Sequence, residues 1–193
     1  MNARVASAFT MLTGASYFQQ KNLMTPSKVG MSDNSDSARR AICILDSQPN
    51  EVAKGVVRFE QAGMFSRTRI NGEFTGLASN HQHGFHIHQY GNLLEGCKTA
   101  GPHYNPAGQT HGGPDEYIRH VGDLGNVNSD ADGNGKYEGV DKQVQLFGPL
   151  SVIGRSCVLH RSTDDLGKGG DEESLKTGNA GARIACGVIG LSA

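Results

Sequence analysis

The chain has 193 residues, 36% of them hydrophobic, with 27 glycines, no tryptophan and a formal net charge of −1. A chain of this size favours one domain with a core large enough to be stable unaided. Its near-neutral charge offers no global field for nucleic acid or a membrane surface, and no apolar run approaches the ~18–20 residues that span a bilayer.

Residues 1–38 stand apart as an N-terminal extension. Met1–Ser32 contains no Asp or Glu, carries Arg4, Lys21 and Lys28, and is rich in Ser and Thr. Such a segment fits a disordered extension or an organellar transit peptide. A secretory signal is the third alternative, because Val5–Phe18 is uncharged, although Ser, Thr and Gly dilute it. No Asn-x-Ser/Thr sequon occurs in the chain, which counts against secretion.

From Arg39 to Ala193, short β-branched or alternating runs are separated by turn residues. Strands are expected at Ala41–Leu45, Gly55–Gln61, Thr68–Leu77 with a break at Asn71-Gly72, Gly84–Gln89 and His120–Val127. Weaker strands are expected at Lys136–Val140 and Gln143–Phe147, and further ones at Ser151–His160 and Arg183–Ile189. Asn-Gly, Asp-Gly and Gly-Pro punctuate them, so the domain over 39–193 reads as all-β, an antiparallel sandwich or barrel. Gly91–Arg119 and Asp164–Gly181 are expected as long loops, and loops this long in a compact domain are usually functional. Cys43 and Cys157 lie within apolar runs and read as buried strand thiols, while Cys97 and Cys186 lie in EGCKTAGP and ACGVIG.

Six of the eight histidines and one aspartate form a separate pattern: His86-x-His88, His103, His111, His120-x-x-Asp123 and His160. All are metal-ligand residue types. On a strand, His86 and His88 share one face and Ile87 takes the other. HxH alone also fits a pair of surface histidines, and His120-x-x-Asp123 alone is similarly weak. Together the seven exceed what one four-coordinate ion needs, which points to two metals close together.

The phrases HGFHIH (83–88), GPHYNP (101–106), HGGP (111–114), RHVGDLGN (119–126), IGRSCVLH (153–160), DDLGKGGDEESLKTGNAG (164–181) and ACGVIG (185–190) resemble the copper/zinc superoxide dismutase family. The resemblance runs from about Arg39 to Ala193 and implies a Greek-key, immunoglobulin-like β-sandwich or barrel. It implies a copper ion held by His86, His88, His103 and His160, and a zinc ion held by His103, His111, His120 and Asp123, with His103 shared. It implies that Asp164 orients His86 and His111, that Cys97 and Cys186 form a disulfide, and that His83 ties loops together without binding metal.

Catalytic roles are implied for Arg183 and His103, and electrostatic guidance of the superoxide anion for Glu172, Glu173, Lys176 and Thr177. A homodimer is implied through Gly91, Ile153, Gly154 and Ile189–Leu191, with a copper-delivery chaperone as a further partner and the cytoplasm as the compartment. An organelle or the exterior is the alternative if residues 1–38 are a targeting segment. The chain departs from the family at Gln89, Asn92 and Arg161, where acidic residues are frequent, so a less negative surrounding is expected. A copper-delivery chaperone with a dismutase-like domain is a competing class, but the extension has no cysteine and every ligand position is filled. A structural zinc protein with a dead copper site is another, and metal analysis separates it.

Overall fold

A computed structural model describes residues 37–193. The extension expected over 1–38 lies, for residues 1–36, outside the described residues. Nine strands form in the described chain: β1 Arg39–Ser47, β2 Lys54–Gln61, β3 Thr68–Thr75, β4 Gln82–His88, β5 Leu94–Cys97, β6 Asp123–Ser129, β7 Gly135–Asp141, β8 Ser156–His160 and β9 Arg183–Ser192. Eight of them close into an antiparallel barrel in the order β1-β2-β3-β7-β6-β4-β8-β9, with β9 pairing back onto β1. Of the two expected forms, sandwich and barrel, the hydrogen-bond ladder therefore makes a closed ring, which leaves these strands no free edge.

Alternation builds the core. In β3 every second residue from Thr68 to Phe74 is buried, and β2 buries Gly55, Val57, Phe59 and Gln61 in the same rhythm. Phe59, Phe74, Phe85, Ile70, Leu124, Leu159 and Ile189 fill the barrel. Each such side chain contributes roughly 1.5–3 kcal/mol on burial.

The strand expected over Ser151–His160 begins only at Ser156, because residues 151–155 form a turn in which Arg155 N donates to Val152 O, and three other local expectations change. The break at Asn71-Gly72 does not occur, because Val57, Gly72 and Tyr137 stay in register and the Phe74 ring takes the space beside Gly72. Gln143–Phe147 is not a strand. Its amides bond to side chains instead of a ladder: Gln143 N and Val144 N donate to Asp141 Oδ1, and Leu146 N donates to Gln61 Oε1. The long loop expected over Gly91–Arg119 contains β5 and a one-turn 3-10 helix at Lys98–Ala100, both outside the barrel order. The second long loop holds a single helical turn, α1, at Ser174–Thr177.

β4 is buried along six consecutive residues, His83 to His88. Phe85 and Ile87 belong to the barrel core, so His86 and His88 face outward, where the loops cover them. This placement puts the site on the outer wall of the barrel. The disulfide Cys97–Cys186 closes across it, joining β5 to β9 with 5.8 Å between Cα atoms. Cys43 and Cys157 are free and buried, as expected.

Candidate metal centre

The first long loop is threaded onto β4 by its main chain. Ile87 N donates to Gly122 O, Tyr104 N to Ile87 O, and Gly122 N to Tyr104 O. A Cβ at Gly122 would lie 2.0 Å from the Ile87 carbonyl oxygen, so only glycine permits this approach. His103 pairs with His88 in an isolated β-bridge, and His120 and Asp123 follow on the same turn. His160 arrives from the end of β8, whose residues pair with β4.

These elements bring together all seven residues picked out in the sequence. One atom from each of His86, His88, His103 and His160 lies within 4.8 Å of the others, as does one atom from each of His103, His111, His120 and Asp123. His103 belongs to both sets, and all seven residues are buried. In the second set, Asp123 Oδ1 stands 2.8 Å from His103 Nδ1, 3.0 Å from His111 Nδ1 and 3.1 Å from His120 Nδ1. Asp123 Oδ2 accepts from His120 N at 2.8 Å and Gly112 N at 3.2 Å, which locks the carboxylate in its own turn.

The first set is oriented from behind. His86 Nε2 bonds to Asp164 Oδ2 at 2.8 Å, His88 Nδ1 to Gly101 O at 2.8 Å, and His160 Nδ1 to Gly181 O at 3.1 Å. That leaves His88 Nε2 and His160 Nε2 facing each other at 3.3 Å. His86 Nδ1 and His103 Nε2 are buried with no hydrogen-bond partner. A ring nitrogen held by an acceptor while the other is left bare is the arrangement of a metal-binding imidazole.

Electrostatics agrees. Burial, reinforced by neighbouring imidazoles, holds His86 and His88 well below the ordinary histidine value. Burial likewise lowers His160, to about 4, and lowers His103 despite Asp123. Neutral imidazoles are the form that binds metal. His111 goes the other way. Burial opposes its charge, yet hydrogen bonds to Asp123 and Asp164 raise it to about 9. Burial also opposes the Asp123 carboxylate, and the bonds from His103, His111 and His120 outweigh it and hold the group far below the usual range. In the second set, three imidazole nitrogens thus converge on a carboxylate held in its ionised form. Both sets fit metals. Four imidazoles suit copper, and three imidazoles with a carboxylate suit zinc.

Asp164 joins the two sets, with Oδ1 2.7 Å from His111 Nε2. Asn126 steadies it by accepting from Asp164 N at 2.8 Å and donating to Asp164 O at 2.9 Å. Replacing Asp164 by asparagine puts an amide N–H or a weaker acceptor against each imidazole. Metal affinity is expected to fall about 10–100-fold at the two sites, read by competition with a chelator. Unchanged affinity for both ions would show that Asp164 has no orienting role.

His88, His103, His120 and His160 open onto a cleft of about 950 Å³ that Glu172, Glu173, Lys176, Thr177 and Arg183 also line. All the guidance residues expected from the sequence are thus at its mouth or wall. Lys176 pairs with Glu172 at 2.6 Å, and Thr177 Oγ1 donates to Glu173 at 2.7 Å. Arg183 is different: Nη1 donates to Cys97 O at 2.7 Å and Nη2 to Gly101 O at 2.8 Å. Among the described residues lining the cleft, it is the cation held by carbonyls with no carboxylate partner.

Of the three departures, only Gln89 reaches the cleft wall. Arg161 pairs with Glu51, and Asn92 accepts from Leu94 N in an exposed turn, so neither adds a free charge to the cleft. His83 bonds to His160 O at 2.8 Å, and His81 is exposed.

Arg119 received no role in the sequence, yet it is 1% exposed and donates to the carbonyls of His120, Val121 and Asp123 while pairing with Asp141. It braces the turn that carries His120 and Asp123. Nothing in the phrase RHVGDLGN distinguishes such an arginine from a surface one.

Comparison with known proteins agrees with this geometry. The sequence profile described as copper/zinc superoxide dismutase (SODC) matches residues 53–189, more than two thirds of the chain. The chain is 56% identical over 152 residues to the Superoxide dismutase [Cu-Zn] of Kluyveromyces lactis, covering 79% of this chain and 97% of that protein. It is 57% identical over 153 residues to the protein of the same name from Candida glabrata, covering 79% and 98%. It is 53% identical over 153 residues to that of Neurospora crassa, again covering 79% and 98%. With the barrel, the two donor sets sharing His103 and these relatives in agreement, the chain belongs to the copper/zinc superoxide dismutase family.

Proposed function

We propose that the protein disproportionates superoxide, converting two superoxide anions and two protons into dioxygen and hydrogen peroxide. The observation that carries this reading is the pair of buried donor sets sharing His103, both with members on the wall of a cleft that also holds an arginine with no carboxylate partner. His86, His88, His103 and His160 hold copper, and His103, His111, His120 and Asp123 hold zinc. Bound copper supplies the one-electron redox chemistry, while zinc is redox-silent and structural.

The chain's own residues do the rest. Arg183, fixed by Cys97 O and Gly101 O, presents a positive charge to a small anion in the cleft. Glu172, Glu173 and Lys176 shape the field at the mouth. Focusing of this kind raises association rates by roughly 10–10³-fold and weakens with salt. His103 Nε2, on the side of the ring away from Asp123, would serve in turn as a copper donor and as the atom that holds a proton for delivery to the reduced product. The opposite nitrogen, Nδ1, lies 2.8 Å from Asp123 Oδ1, within the donor set that would hold zinc.

Protein carrying both ions is expected to accelerate superoxide decay in a stopped-flow assay. Chelator-stripped protein and zinc-only protein are expected to leave the spontaneous rate. Decay at the spontaneous rate with both ions bound would refute the function, and zinc uptake without copper would favour the structural reading.

A homodimer is part of this proposal. Ile44, Val188 and Leu191 expose apolar surface on the adjoining strands β1 and β9, beside Gly91, Ile153 and Gly154. Ile189 itself points into the core, so of the expected Ile189–Leu191 contact its side chain takes no part. Sedimentation at the mass of one chain would exclude the dimer. We assign the protein to the cytoplasm, with a copper-delivery chaperone as its source of metal. Recovery of the native protein in an organelle or medium, beginning near Arg39, would instead make residues 1–38 a targeting segment.

A further inference from the structure

The short loop between β1 and β2 lies outside the cleft, yet one of its side chains grips the disulfide. Gln48 Oε1 accepts from Cys97 N at 2.9 Å, and Gln48 Nε2 lies 3.7 Å from Cys186 Sγ. The orientation of the amide follows from chemistry: a main-chain N–H needs an acceptor, so the NH₂ group must face the sulfur. Gln48 N donates to Ile184 O at 2.9 Å, which ties the residue to β9 directly beside Arg183. A Cβ at Gly96 would lie 2.2 Å from Gln48 Oε1, so the glycine before Cys97 is what lets the amide approach. Cys97 is thus held on two sides: its N–H by Gln48 and its carbonyl by Arg183 Nη1.

We propose that Gln48 is a positioning residue for the dismutase reaction, holding the Cys97 main chain so that its carbonyl fixes the Arg183 guanidinium at the cleft. This rests on the function proposed above. Gln48 touches neither the metal donors nor the cleft wall, and it acts through Cys97. The acceptor oxygen is the essential atom. Cys97 is buried, and a buried N–H stripped of its acceptor finds no water to replace it.

Two substitutions separate this role from bulk. Gln48→Met keeps the length and removes the acceptor. Gln48→Glu keeps the acceptor and removes the donor to Cys186 Sγ. Two readouts on the full chain are needed: the ratio of reduced to oxidised dithiothreitol that opens Cys97–Cys186, and the affinity of copper-loaded protein for azide as an anion probe.

In Gln48→Met, the disulfide is expected to open at a ratio about tenfold lower, and azide affinity to fall severalfold with the superoxide rate. In Gln48→Glu, azide affinity is expected to stay at the parental level. Its disulfide is expected to be at least as resistant as the parent's, because a carboxylate opposes the thiolate formed on reduction. Parental behaviour of Gln48→Met in either readout overturns the proposal, and so does a Gln48→Glu protein whose azide affinity falls with it. If the parent itself, copper-loaded, neither binds azide nor consumes superoxide, the dismutase reading fails. The thiol titration then still reports whether Gln48 holds Cys97.

Discussion

Replacing His103 by alanine is expected to lower the rate of superoxide consumption by about 10²–10⁴-fold, the largest effect of any single substitution in the site. The residue is shared by two donor sets, so its loss takes one ligand from each. Nδ1 is one of three imidazole nitrogens around Asp123 Oδ1, and Nε2 is the bare atom assigned to proton delivery. Removing the ring also leaves a buried carboxylate short of one partner, so zinc affinity is expected to fall as well. His120→Ala is the control. His120 belongs to the second set alone, so zinc affinity should drop while copper uptake is retained. Stopped-flow decay measured beside metal content per chain tests both. A His103→Ala protein that keeps two ions and the parental rate would remove the shared histidine from the mechanism.

The second large effect is on stability. Changing Cys97 and Cys186 to serine opens a loop spanning 89 residues of sequence. Chain entropy alone puts the loss at ~4–5 kcal/mol. That is a large part of the roughly 5–15 kcal/mol by which domains are stable. The bond also anchors the Cys97 carbonyl that receives Arg183, so release of β5 from β9 should lower the superoxide rate of the metal-loaded protein along with its stability. Urea unfolding of the metal-free protein is the direct measurement. The parent in excess thiol should unfold at the same urea concentration as the double serine protein. A double serine protein as stable as the oxidised parent would show that the bond does not hold the fold.

Short-range rules carried much of the fold. The alternation in GVVRFEQ and in Thr68–Phe74 is a consequence of the two-residue period of a strand, and the barrel buries the residues that this period selects. The rules failed where a side chain from elsewhere settled the backbone. Asn71-Gly72 has the form of a turn, but Phe74 and the registers with β2 and β7 keep it straight. Gln143–Phe147 has strand-like residues, but Asp141 and Gln61 take its amides.

The site divides in the same way. The sequence alone determined which residue types can bind metal, and it placed His86 and His88 on one strand face through the intervening Ile87. Through family resemblance it also implied which ligands belong together. Tertiary structure decided what local spacing cannot carry. It brings His160, 57 positions beyond His103, to 3.3 Å from His88 by pairing β8 with β4. It buries Arg119 behind Asp123, neutralises Arg161 with Glu51 and sets Gln48 against the disulfide. Residue type and strand period are local properties. Burial, charge pairing and the acceptor an amide finds depend on which segments the closed barrel places side by side.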